Sequence, residues 1–353
     1  MKKMTCKERT LSALNHAQPD RVPCDYFGTP EIESALMAHF QVKAHNELLN
    51  ALGTDIRTVM PEYVGPPLRT FPDGSYEDIW GVIRSPLPNE YGEYAEPSYL
   101  PFAKMETLED VESYRWPSTD WYDYSTILEQ CRAFEGYAIA TGGFGFMDLI
   151  NGTAFGRGVQ QVLYDIALDD PTGRALREKR ARFYLEFTER ILDAGRGMID
   201  ILMMGDDYGT QRGLLMSPAT WDRLFRPHMK AMVDLAHSYR CRVIHHSCGS
   251  TRQLFPRYIE LGLDCLQTIQ SQAWGMDPYE LKAVYGDRIS FHGSIDVQGP
   301  LQRMTPLQVR AYVRERIEIM GKGGGFICSP SHNIQPDTPV ENVLAMYREI
   351  ALG

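Results

Sequence analysis

Eight short apolar, β-branched runs alternate with longer amphipathic stretches along this chain. That alternation limits the fold more than any other feature of the sequence. The runs are RVPCDYF (21–27), DIRTVM (55–60), YAIATG (137–142), DILMMG (200–205), RVIHHS (242–247), DCLQTI (264–269), RISFHG (288–293) and GFICS (325–329). Helical stretches lie between them at 171–197, 217–238, 251–260, 277–285 and 305–320, and a last one fits 339–351. Ser217 and Pro218 supply an N-cap and a first-turn proline for the second of these. Near-continuous apolar strands alternating with helices predict a parallel sheet. Eight such units predict a closed (β/α)8 TIM barrel, an α/β fold, over an open doubly wound sheet. The spacing is uneven. Residues 61–135 separate the second and third strands; there EDIWGVIRS (77–85) reads as an extra hairpin and PSTDWYDYSTILEQ (117–130) as an extra helix. No internal repeat and no Pro/Gly/Ser linker divides the chain, so residues 1–353 read as a single domain with that insertion.

The bulk properties narrow the partners. The formal net charge is −10, and no Lys/Arg stripe is long enough to track a phosphate backbone, which argues against nucleic acid. The opening MKKMTCKERTLSAL has no apolar core of a signal peptide, and no run of ~18 apolar residues occurs that could span a membrane. Seven scattered cysteines without a repeating spacing fit a reducing compartment, so a cytoplasmic protein is expected. GGFGFMD (142–148) does not complete a dinucleotide fingerprint, and GKGGGF (321–326) lacks the GK[ST] of a phosphate loop.

In a TIM barrel the site lies at the C-terminal ends of the strands. Polar residues are dense there: GDDYGTQRG (205–213), HHSCGS (245–250), QTIQSQAWG (267–275), HGSID (292–296) and CSPSHN (328–333). His246 and Cys248 stand two apart in an extended segment and share a face, whereas His245 points the other way. Imidazole and thiolate together are two ligands of a tetrahedral zinc site, and catalytic zinc usually takes three protein ligands and one open position. Cys328, ending the last strand, is the expected third, and ligand softness favours zinc over magnesium or calcium. The alternative is a hydrogen-bonded core histidine and two small buried cysteines. Asp206 and Asp207 follow the fourth strand and are candidate catalytic carboxylates. The alternative for this pair is a cap for the helix that starts near Pro218. Gln211 adds a donor for substrate. His292 and Asp296 are candidates for substrate binding and His332 for catalysis, each as an acid–base group or an orienting partner, or else as a loop hydrogen bond.

The segments KERTLSALNHAQPDRVP (7–23), GSYEDIWGV (74–82), LEDVESYRWP (108–117), QRGLLMSPATWDRLFRPHMK (211–230), HHSCGS and CSPSHNIQPDTPVENVLAMY (328–347) resemble successive blocks of the uroporphyrinogen decarboxylase (URO-D) superfamily. The resemblance runs over nearly the whole chain and implies a (β/α)8 barrel. True decarboxylases carry an arginine-rich RQAGR segment after the first strand, where this chain reads DYFGTPEIES (25–34) without an arginine. The chain is more similar to the zinc-dependent corrinoid methyltransferase branch, whose His-x-Cys pair and later Cys match His246, Cys248 and Cys328. This resemblance implies Zn2+ and a corrinoid carried by a partner protein. It also implies methyl transfer to or from a small thiol, ether or amine, and it admits a homodimer. A cofactor-free decarboxylase using Asp206 or Asp207 with His332, and a non-catalytic metal-binding barrel, are the competing readings.

Overall fold

The computed structural model describes residues 3–352. Seven parallel strands pair in chain order: β1 (Ile56–Thr58), β2 (Ala138–Gly142), β3 (Ile201–Gly205), β4 (Arg242–His246), β5 (Cys265–Gln267), β6 (Ser290–Ile295) and β7 (Phe326–Pro330). The expected first strand, 21–27, forms no ladder. It makes one parallel bridge, Cys24 to Cys328, and Pro23 has no N–H to give. The segment nevertheless sits between β7 and β1. The Cys328 N–H donates to the Pro23 carbonyl at 2.9 Å, and the Asp55 N–H, just ahead of β1, donates to the Cys24 carbonyl at 2.9 Å. The Cys24 N–H donates to the Asp55 carboxylate at 2.8 Å. A side chain thus takes the bond that a strand partner would have taken, and the barrel closes through this segment.

Each strand divides its side chains between two cores, as a period of two requires. Ile56, Ala138, Ala140, Ile201, Met203, Ile244, Cys265 and Ile327 fill the barrel interior. Ile139, Leu202, Met204, Val243, Leu266, Phe291, Phe326 and Cys328 pack outward with the helices. A fully buried aliphatic side chain of this kind contributes about 1.5–3 kcal/mol over an exposed one.

The helices expected at 171–197, 277–285, 305–320 and 339–351 appear as Pro171–Gly195, Pro278–Tyr285, Pro306–Met320 and Val340–Leu352. The stretch 217–238 is two helices, Pro218–Leu224 and Arg226–Ser238, because Pro227 cannot continue the hydrogen-bond ladder of the first. The stretch 251–260 is a 3₁₀ turn leading into Phe255–Leu261.

The insertion departs further from expectation. Tyr76–Glu77 pairs with Ile83–Arg84 where the hairpin was expected, but the second strand runs on to Asn89 and returns as Gly92–Tyr99, giving three antiparallel strands. The helix expected over 117–130 begins only at Ile127. Before it, Tyr122–Asp123 is extended and pairs with Glu62–Tyr63, and Tyr122 packs its ring 4.6 Å from Phe187. Among the described residues no helix is long and apolar enough to cross a membrane.

Candidate metal centre

The interior face of each strand continues past the apolar layers into its C-terminal end. On β4 the inward position after Ile244 is His246, and on β5 the one after Cys265 is Gln267. The two meet: His246 Nδ1 bonds Gln267 Oε1. Because the amide oxygen only accepts, Nδ1 keeps its proton in either state of the ring, and Nε2, facing the strand end, is the nitrogen that can lose one. Cys248 Sγ lies 3.3 Å from His246 Nε2. The His332 ring, from the loop after β7, stands 5.8 Å from that of His246. Ligand atoms of His246, Cys248 and His332 all lie within 4.8 Å of one another. Tetrahedral zinc with nitrogen at ~2.1 Å and sulfur at ~2.3 Å separates such atoms by roughly 3.5 Å, so this donor set fits the ion.

Cys328, the expected third ligand, is not in this group. Ile327 points into the barrel, so its neighbour points out, into the helix-packed core, where burial pushes the thiol up. The third atom of the group comes from His332 instead, which places this residue, expected as an acid–base catalyst, where it could also ligate a metal. Burial and the charge of His246 push His332 down, toward the neutral form that a metal takes.

The carboxylates divide. Asp207 Oδ1 accepts the Cys248 N–H at 2.7 Å and stands 3.4 Å from His246 Nε2, and its Oδ2 accepts from Asn151 Nδ2 at 3.0 Å. Burial opposes a charged His246, but hydrogen bonds to Asp207 and Cys248 outweigh it and push the ring up to about 10. Asp207 is held well below the usual carboxylate range: burial works against this, and the bond with His246 overcomes it. Asp206 is buried. Its Oδ1 accepts the Ile150 N–H at 3.0 Å and its Oδ2 finds no donor. Burial and the adjacent Asp148 carboxyl push it well up, opposite to Asp207.

Two glycines let the loops after β3 and β4 meet. Gly249 has φ +79°, and a Cβ there would stand 2.6 Å from the Thr210 carbonyl oxygen; one on Gly209 would stand 2.6 Å from that of Cys248. This backbone contact fixes the turn that carries Cys248.

Two cavities flank the donors. One, about 370 Å3, is lined by Phe27, Phe144, Asp148, Asp206, Asp207, His246 and His332, and Tyr94 of the insertion hairpin lies over it. The other, about 310 Å3, is lined by Gln211, Cys248 and His332 among others. A larger cavity of about 530 Å3 opens at the opposite end of the barrel, around Arg9 and Arg57. Arg9 is committed to Asp20 and Asp55, and Arg57 to Asn50 and backbone carbonyls, so chemistry is not assigned there.

Gln211 lines one of the two cavities beside the donors, and His292 and Asp296 line neither. His292 is fully buried with both ring nitrogens engaged, Nε2 with Asp25 at 3.2 Å and Nδ1 with Ser329 at 3.1 Å. It packs against the rings of Phe27 and Phe144. Asp296 accepts the Gln298 N–H at 2.7 Å, and its carbonyl accepts from Leu301, so it shapes the turn into the short helix Pro300–Arg303. The sequence reading missed Gln267, Asp148, Asn151 and Phe144. Only Gln267 had a visible signal, its inward parity with Cys265; Phe144, stacked 5.4 Å from the His246 ring, lies in a loop without periodicity.

The family model of uroporphyrinogen decarboxylase (URO-D) matches residues 146–351, more than half of the chain. This chain belongs to the URO-D family. The matched region holds the three donors and both aspartates. A methylated-thiol–coenzyme M methyltransferase of Methanosarcina mazei is similar to this URO-D protein, 32% identical over 114 residues. The match covers 32% of this chain and 29% of that relative's length, less than two thirds. A solved methyltransferase from Methanosarcina mazei shares the fold over 99% of both chains, with a TM-score of 0.68 at 16% identity.

Replacing Gln267 by leucine should free the His246 ring to rotate and lower zinc affinity by about 10–100-fold, the range for losing a partner that orients a metal ligand. Competition with a chromogenic chelator measures this. Unchanged affinity would show that packing against Phe144 alone orients the ring.

Proposed function

We propose that this chain is a zinc-dependent methyltransferase that moves a methyl group between a small thiol, ether or amine and a corrinoid carried by a partner protein. The observation that carries the reading is the convergence of His246, Cys248 and His332 at the barrel mouth, with open space on both sides. The methyltransferases to which the chain is similar support it. Bound zinc supplies a Lewis acid that lowers the pKa of a thiol or polarises an ether or amine. The chain's own groups do the rest. Gln267 holds the Nδ1 proton of His246, so that Nε2 is the nitrogen a metal would take. Asp207 holds the Cys248 backbone in place. Asp206, whose hold on a proton is strengthened by burial beside Asp148, is the group placed to exchange a proton with the heteroatom that loses or gains the methyl group. No lysine or arginine lines the cavity that contains these carboxylates. A polycarboxylate substrate would meet three acids there, which weighs against decarboxylation of the kind that names the family. With all seven cysteines unpaired, we place the activity in the cytoplasm.

The test is metal analysis together with methyl transfer. We expect about one zinc per chain, and zinc-dependent transfer between a methylated corrinoid and a small thiol or a demethylated analogue. Protein that carries no zinc after purification without chelator, and gains no activity on adding it, removes the basis of this reading.

A further inference from the structure

The three donors stand between two cavities of unlike chemistry. The one that holds Asp148, Asp206 and Asp207 is acidic and walled by aromatic rings. The other touches Cys248 and His332 but contains no Asp, Glu, Lys or Arg. Four glutamines line it: Gln211, Gln270, Gln298 and Gln335. Gln270 uses its Oε1 to accept the Gly249 N–H at 2.9 Å, which leaves its amide donors free. Gln335 spends Nε2 on the Asn333 carbonyl at 2.9 Å and keeps its oxygen as an acceptor. Thr268, 1% exposed, lines the same cavity, and its Oγ1 has no partner. A buried hydroxyl in that condition is destabilising unless a ligand or water completes it.

We propose that this cavity receives the carboxamide-bearing rim of a corrin ring presented by the partner protein. The assignment rests on the methyltransferase reading of the metal centre. A primary amide both gives and takes a hydrogen bond, so a glutamine pairs with another carboxamide through two reciprocal bonds. Away from the metal donors the wall offers only neutral donors and acceptors and no Lys or Arg, so the peripheral groups it suits are neutral amides, and a phosphate or carboxylate held on that wall would lose hydration without gaining a side-chain cation. The volume admits peripheral arms and not a whole macrocycle, so the ring stays with its carrier while its edge docks beside Cys248 and His332. The small methyl donor or acceptor is left the acidic, aromatic cavity on the other side.

The experiment is a titration of the full-length, zinc-loaded protein with aquocobinamide, a free corrinoid that keeps its peripheral amides, followed by visible absorbance and calorimetry. The double variant Gln298→Leu/Gln335→Leu should raise Kd at least tenfold. Cobinamide whose peripheral amides have been hydrolysed to carboxylates should bind the parent protein at least tenfold more weakly. Asp148→Asn, in the opposite cavity, should leave Kd within twofold. Zinc content and thermal unfolding confirm that each variant is folded. The proposal is overturned if cobinamide fails to bind the parent, binds the double variant equally well, or binds as tightly after hydrolysis. The expected binding pattern without methyl transfer would overturn the functional reading and leave the cavity assigned. Methyl transfer with glutamine variants of unchanged affinity would overturn the cavity assignment alone.

Discussion

His332→Ala and Cys248→Ser should each strip the protein of zinc during dialysis against a weak chelator, whereas Cys328→Ser should keep about one zinc per chain. The reason is geometric. Three donors within 4.8 Å of one another can share one ion, and taking one away leaves two, too few to hold it against competing chelator. Loss of a partner that merely orients a ligand costs about 10–100-fold in affinity, so loss of a ligand should exceed that. If zinc activates the substrate, methyl transfer by His332→Ala should fall at least about 1000-fold, equivalent to roughly 4 kcal/mol of barrier. Cys328 lies on the other face of β7, packed with the helices, and its thiol reaches no donor of the group. Serine there should affect stability and leave the metal alone. Zinc lost from Cys328→Ser but retained by His332→Ala would reverse the ligand assignment.

Asp55→Ala should destabilise the protein by about 3–5 kcal/mol in chemical denaturation, the cost of breaking a buried ion pair from one side. Asp55 is fully buried between the closing segment and β1. Its carboxylate takes Arg9 Nη1 at 2.7 Å, Arg21 Nη1 at 2.8 Å and the Cys24 N–H at 2.8 Å. Alanine would leave Arg9, itself 4% exposed, with Asp20 as its one remaining carboxylate, and would cut the bond that holds 21–27 against the barrel. Lys230→Ala serves as the contrast. Its pair with Asp234 is exposed on one helix face, and its loss should change stability by less than about 0.5 kcal/mol. A loss below about 1 kcal/mol for Asp55→Ala would mean that packing, not this clasp, closes the barrel.

The architecture was legible because strand and helix periods differ and the two alternate through the second half of the chain. Turn chemistry added reliable boundaries, such as Ser217 before Pro218, where the Ser217 hydroxyl accepts the Thr220 N–H. Less was legible in the first third. The segment 21–27 carries strand-like residues, but Asp55, distant in sequence, takes the hydrogen bond that would have made it a strand. The stretch 117–130 reads as one extra helix, yet Tyr122 within it stays extended and packs on Phe187.

The amino-acid pattern by itself determined the barrel, the end at which polar residues gather, and the pairing of His246 with Cys248, because residues two apart share a face while the chain stays extended past the strand end. Only the tertiary structure shows which side chain stands third beside this pair. FICSP is buried at every position, since a parallel strand in a barrel has apolar neighbours on both sides, and such a run hides which residues face in. Ile327 takes the interior and Cys328 therefore cannot. His332 lies in the loop beyond, where no period carries the register forward, and the fold brings it back to His246 and Cys248.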